Sequence, residues 1–350
     1  MTATASAATG VWGRAEQQDF RSRVRGCLLG GAIGDALGAA VEFASLDEIR
    51  AAHGAEGVTD FLPAYGGRGR VTDDTQMTLF TVDGLIRAQV RRDTGAWHPP
   101  TDIHSAHRRW YSTQRDWGPD ERRKDAGWLA REEWLYAQRS PGRACITALA
   151  DETMGTLEAP KNPDSKGCGA VMRSAPFGLL VGWEPQLVFQ LAIECAAQTH
   201  GHPTGYLAAG AFALIVHGLA RGEALDGAVQ RALAHLATRP GHEETTNALR
   251  YALGAVRQGL PTPSASHPWA RAGPVRRPWR WACTARWSPR TSAMGCCSRS
   301  TTAGTATPRR PSAAICWARC TARRRCRPPG WRRSRGAARS WSWPTTSPWR

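Results

Sequence analysis

The stretch Arg25–Phe43 reads RGCLLGGAIGDALGAAVEF. Its glycines and alanines recur at helical spacing, which predicts a helix whose small side chains let neighbours pack close. The same period continues outward. Thr75–Val90 reads as an amphipathic helix with Met77, Phe80, Leu85 and Ile86 as core positions. Ile103–Thr113, Asp125–Gln138, Leu187–Ala197, Gly205–Arg221, Leu225–Thr238 and Glu243–Gln258 read as further helices. His53–Gly69, Ala96–Pro100 and Pro160–Gly169 interrupt them with glycine and proline. Runs of alternating β-branched residues are almost absent, so the fold class is all-α.

Residues 1–20 are small and polar without a period, and are expected to be disordered. Residues 21–260 form the coherent part, long enough for one large domain or two small ones. No run of 18 or more apolar residues is seen in it, so no membrane span is expected. The N-terminus lacks a basic-then-apolar leader, which makes a cytoplasmic location the default expectation. Cys27, Cys145, Cys168 and Cys195 are scattered without a C-x-x-C pair, so neither a zinc site nor a disulfide framework is indicated.

From Pro261 the composition changes. Residues 261–350 contain no Asp, Glu or Lys but 19 Arg, 9 Trp and 6 Cys. The remaining 27 Lys+Arg face all 29 acidic residues in the first 260, so the formal charge of +17 belongs to the tail. One reading is a basic arm for nucleic acid or a membrane surface. The other is that the segment was never selected as protein. Such arms mix Lys with Arg, and solvated disorder is poor in aromatics. Reading the degenerate codons one base out of register tests the second reading. Pro278–Ala285 then permits A-L-A-M-G-V-H-C, and Met294–Thr302 permits D-G-L-L-L-A-V-D-H. One constant offset restores acidic residues and helical periodicity, which points to a frameshift between about Leu260 and Ala272. A nucleic-acid partner is accordingly not expected.

Four groups of residues suggest chemistry. In Val71-Thr72-Asp73-Asp74-Thr75-Gln76-Met77, three consecutive oxygen donors, Thr72, Asp73 and Asp74, stand at a loop-to-helix junction. They could face a hard divalent cation such as Mg²⁺ or Mn²⁺, or simply cap the helix. Asp35 and Glu42, seven residues apart, are expected on one helix face. In Ser165-Lys166-Gly167-Cys168-Gly169, a glycine-rich loop opening a helix would offer N–H groups to an anion such as a pyrophosphate. His200 and His202 lie two apart in Gln198–Gly205, where they either line a pocket or position the next helix.

Together, GCLLGGAIGDALGAAVEF, GRVTDDTQMTLF, SKGCGAVMRSAP and THGHPTGYLAAG resemble the ADP-ribosylglycohydrolase family over Arg21–Leu260. This is the group of dinitrogenase-reductase-activating glycohydrolases and ADP-ribosylhydrolases. The resemblance implies a compact orthogonal multi-helix bundle with two magnesium or manganese ions at the base of a cleft. It implies hydrolysis of an N- or O-glycosidic bond of ADP-ribose, carried on a protein or a small conjugate. Thr72, Asp73 and Asp74 would be metal ligands, with Asp73 and Asp74 also catalytic. Glu42 would act near the metals as a gate or base, and Asp35 would support the helix or the ligands. Lys166, Gly167, Cys168 and Gly169 would take the pyrophosphate or the distal ribose, beside His200 and His202. The family completes its metal site with a C-terminal G-D-x-D-[ST] element. The chain has no carboxylate at Ala303–Pro308, where only the shifted reading gives G-G-D-S-D-S. Loss of the second ion and impaired catalysis are therefore expected. A non-catalytic ADP-ribose-binding protein is the alternative.

Overall fold

Proline stands in the first turn of several helices here, where its missing N–H is no loss. The computed structural model describes residues 12–257 except 56, 93, 94, 96, 121 and 123–126. Its helices are α1 (Arg14–Gly38), α2 (Leu46–His53), α3 (Asp73–Arg92), α4 (Pro99–Thr113), α5 (Arg143–Ala150), α6 (Ala175–Gly178), α7 (Pro185–Ala197), α8 (Pro203–Ala220), α9 (Leu225–Leu236) and α10 (Glu243–Arg257). A two-residue antiparallel pair, β1 (Pro63–Ala64) with β2 (Gly67–Arg68), is the only strand pairing among the described residues. The fold is all-α, as expected.

Helix α8 sits at the centre. It packs on α1, α6, α7, α9 and α10, while α3 and α4 pair beside it and α4 also meets α7. It is the one described helix long and apolar enough to cross a membrane by composition alone, and most of it is buried inside the bundle. Phe189 and Ile193 of α7 meet Leu207, Ala211 and Leu214 of α8 and Val229, Ala232 and Leu236 of α9. On the other side, Met77 and Phe80 of α3 meet Trp110 of α4 and Leu149 of α5.

Glycine makes the closest crossings possible. A Cβ on Gly210 would stand 2.5 Å from Ile193 Cγ2, and one on Gly84 would stand 3.0 Å from the Ile103 Cα. The small residues of α1 behave differently: a Cβ on Gly26, Gly30 or Gly31 would meet nothing among the described residues.

Several expectations change. Residues 14–20 are helical rather than disordered. The Gly13 N–H donates to Glu16 Oε2 at 2.9 Å, and the buried Phe20 ring lies 4.8 Å from Trp12. Ile86 is exposed, because it lies about 180° around α3 from Met77 at about 100° per residue. In place of a helix over 125–138 there are two 3₁₀ turns, Leu129–Arg131 and Glu133–Leu135. Glu42 does not share a face of α1 with Asp35, since α1 ends at Gly38 and the chain turns through 39–43. There the Val41 N–H donates to the Gly38 carbonyl, which tightens the last turn away from the α-helical path. Helices α2, α5 and α6 were not foreseen. The expectations for residues 261–350 fall outside the described residues.

The crossing of α6 and α8 gives a direct test. A Cβ on Gly178 would lie 2.4 Å from the Ala213 carbonyl oxygen and 2.7 Å from the His217 nitrogen. Backbone cannot rotate aside as a side chain can. Gly178→Ala should therefore cost about 1–3 kcal/mol, despite alanine's better helix propensity. Thermal unfolding of the variant checks this, and an unchanged midpoint would refute the close crossing.

Candidate functional site

The loop before α3 is built around one carboxylate. Asp35, on α1, is buried. Its Oδ1 accepts the Thr72 hydroxyl at 2.6 Å. Its Oδ2 accepts the Thr72 N–H at 2.8 Å, the Thr75 hydroxyl at 2.6 Å and the Thr75 N–H at 3.2 Å. Asp35 thus supports the loop, and both of its oxygens are engaged in doing so. Arg139 holds the same segment from the other side. Its Nη1 donates to the Val71 carbonyl at 3.1 Å, and its own carbonyl accepts the Asp73 N–H at 3.0 Å.

This clamp sets Thr72, Asp73 and Asp74 at the positive end of the α3 dipole, where carboxylates are favoured. Asp73 is 1 % exposed and Asp74 7 %. The Gly142 N–H donates to Asp73 Oδ2 at 3.1 Å, so the residue before α5 orients that carboxylate. The Thr72 hydroxyl gives its proton to Asp35, and its oxygen accepts the Asp74 N–H at 3.3 Å. These hard oxygens suit Mg²⁺ or Mn²⁺ in kind. In number they fall short, because no group of three His, Cys, Asp or Glu able to hold a metal occurs among the described residues.

A second cluster lies next to the first. His200 is 2 % exposed, and its ring edge fills the space that side chains at Gly167 and Gly169 would need. A Cβ on Gly169 would come 2.9 Å from His200 Cε1 and 3.1 Å from Cys145 Sγ. Cys145 is linked to both clusters: its Sγ accepts from Arg173 at 3.3 Å and lies beside Gly142. Burial pushes the Cys145 thiol up, so it is no ready nucleophile. Burial, aided by the Arg173 guanidinium, pushes the His200 imidazole down to about 3. The His107 imidazole is pushed well down by the same causes in the same order.

The remaining expected residues sit as follows. Lys166 donates to Glu244 Oε2 of α10 at 2.7 Å, so its charge faces a carboxylate rather than standing ready for a phosphate. His202 caps α8, its Nδ1 accepting the Thr204 N–H at 3.1 Å, which makes it a structural residue. Cys168 is half-buried in a turn whose carbonyl accepts the Met172 N–H at 3.1 Å. That turn runs through 168–173 before the single turn of α6, so the glycine-rich loop does not open a long helix, and the anion site expected there lacks its dipole. Glu42 is half-buried, with one carboxylate oxygen fully covered. Arg139, Gly142, Cys145, Arg173 and Thr199 were missed as site residues. Arg173 and Thr199 stood inside the quoted motifs, but nothing in spacing pairs residues 26 apart.

The all-α bundle and a threonine–aspartate–aspartate loop define the class. The family profile described as ADP-ribosylglycohydrolase matches residues 16–331. The chain belongs to that family. It is 29% identical over 186 residues to an uncharacterized protein of Archaeoglobus fulgidus, an alignment covering 52% of this chain and 50% of that protein. The chain therefore spans about half the length of the curated relative it matches.

Two outcomes follow. Asp35→Asn would turn an amide NH₂ towards N–H and O–H donors of Thr72 or Thr75, and should destabilise the fold by about 3 kcal/mol in urea unfolding. The buried histidines also set an acid limit. A histidine whose folded value is depressed stabilises fully above the unfolded value near 6.5, and that stability is lost as pH falls towards the folded value. For His200, held at about 3, the loss at pH 5 is about 2 kcal/mol, with His107 adding to it. Urea midpoints at pH 7 and pH 5 check this, and His200→Gln should flatten the dependence.

Proposed function

We propose that this chain derives from a metal-dependent hydrolase of the glycosidic bond in ADP-ribose conjugates and keeps the substrate-facing half of that machinery. What supports the reading is the clamped Thr72-Asp73-Asp74 loop, with two nearly buried carboxylates at one helix N-terminus in a chain of this family. A helix cap needs one such side chain; two nearly buried carboxylates in sequence are a donor set of the kind a hard divalent cation takes.

The residues divide the work. Asp35 and Arg139 fix the loop, and Gly142 orients Asp73. Thr72 Oγ1 and the carboxylates of Asp73 and Asp74 would hold Mg²⁺ or Mn²⁺. A bound ion would polarise ribose hydroxyls and favour ionisation of water. The carboxylates also face the positive charge that develops on the sugar as the bond breaks. Glu42 is the candidate general base, standing in the turn after α1. The neutral His200 offers hydrogen bonding without charge to an oxygen of the ligand beside Gly167 and Gly169. The substrate is an ADP-ribosylated protein or a small ADP-ribose conjugate.

Catalysis by this chain is proposed to be weak, because the second half of the ligand set is absent from its own sequence. A one-base restoration of the frame near Leu260 would return G-G-D-S-D-S at the codons of Ala303–Pro308. The test compares the chain with the frame-restored protein on ADP-ribosylated substrates in Mg²⁺ and in Mn²⁺. Restoration should raise turnover by about 10²-fold or more, and Asp73→Asn should abolish the gain. Equal activity of the two proteins would refute the impairment. If neither turns over and ADP-ribose still binds by calorimetry, the chain is a binding protein.

A further inference from the structure

Arg173 is 2 % exposed, and all three hydrogen bonds it donates go to neutral groups. Its Nη1 reaches Met77 Sδ at 3.5 Å and Cys145 Sγ at 3.3 Å; its Nη2 reaches Thr199 Oγ1 at 2.7 Å. Burying a guanidinium without a carboxylate in contact is costly, and packing alone would be served as well by methionine or leucine. Both lines of contact lead to the same loop. The Cys145 thiol points at the Gly169 carbonyl, at 4.0 Å. Thr199 Oγ1 lies 2.8 Å from His200 Nδ1, and the far edge of that ring faces Gly167 and Gly169.

The direction of these bonds can be worked out. Guanidinium nitrogens only donate, so Thr199 Oγ1 accepts from Arg173. Its own proton then goes either to His200 Nδ1 at 2.8 Å or to the Ala196 carbonyl at 3.4 Å. An Nδ1–H ring would put a second donor on Oγ1 and leave the threonine proton only the 3.4 Å contact, so the favoured arrangement sends that proton to Nδ1. His200 Nδ1 is then the acceptor, and the ring proton sits on Nε2. Among the described residues no group accepts that proton, and Nε2 is not among the fully covered polar atoms that lack a partner. It is a donor on a buried side chain, open towards the glycine-rich loop.

We propose that Arg173 is a positioning residue: through Thr199 it locks His200 as the Nε2–H tautomer, so that the glycine-rich loop always meets an uncharged donor ready for a ligand oxygen. The inference deepens the functional reading above, and rests on it only for the identity of the ligand. Its core concerns the free protein.

The experiment is ¹⁵N NMR of the full chain labelled at histidine, without ligand and at neutral pH, with His200 assigned by the loss of its signals in His200→Gln. Wild type should show a protonated Nε2 and an unprotonated Nδ1. Arg173→Met and Thr199→Val should each give His200 a mixture of both tautomers, and Arg173→Lys should restore the single form at least in part. ADP-ribose affinity should fall about 5- to 10-fold in Arg173→Met, the worth of one hydrogen bond. A wild-type His200 protonated on Nδ1, or charged, overturns the proposal even if no variant folds. So does a single Nε2–H form surviving in Arg173→Met. A correct tautomer with no binding of ADP-ribose leaves this relay standing and refutes the functional reading instead.

Discussion

The clamp of Asp35 on Thr72 and Thr75 is the contact on which the rest of the site depends. One carboxylate on α1 receives four donors from the first turn of α3, across 37 to 40 residues of chain. Hydrogen bonds to a charged group contribute about 1.5–3 kcal/mol each, and burying the charge costs several kcal/mol. Four bonds outweigh that cost where one or two would not. The clamp also has a direction. It takes the hydroxyl and N–H of Thr72 and so fixes the backbone from which Asp73 and Asp74 project. Gly142 then takes one oxygen of Asp73. A side chain that never needs to touch substrate therefore decides the geometry of those that would.

How much of this was legible in the sequence depends on range. The period of α3 placed Met77, Phe80 and Leu85 correctly, because a 20-residue helix has a clear inside. It misplaced Ile86, because an apolar residue on the far face looks the same in a list of letters. The eight-residue α2 and α5 were too short for a period to show. The capping box of α2, Ser45 with Glu48, was nonetheless readable as S-x-x-E. Glu42 was assigned to the face of Asp35 by counting seven residues along a helix that in fact stops four residues short of it. Spacing arguments hold only while the helix does.

The site was legible as types of residue but not as partnerships. The letters TDDT announce a loop with too many acids for a cap, and the structure supplies the reason they are tolerated. Nothing in the letters tells that Lys166 faces Glu244, or that His202 caps α8 while His200, two residues earlier, packs against Gly167 and Gly169. Local bonds settle that difference: the Pro203 and Thr204 turn claims His202, and Arg173 with Thr199 claims His200. Glycine has a similar hidden logic. Gly167 and Gly169 were read as offering N–H groups to a pyrophosphate or the distal ribose, and their missing side chains also make room for an imidazole.

The groups gathered around the Thr72–Asp74 loop lie early in the chain. Asp35, Arg139, Gly142 and the Thr72–Asp74 loop all lie between residues 35 and 142, and Arg173, Thr199 and His200 complete the second cluster before residue 201. The helix dipole of α3 and the Gly142 N–H both favour the charged form of Asp73. Two nearly buried carboxylates in sequence exceed any need of the fold, which could have capped α3 with a single serine.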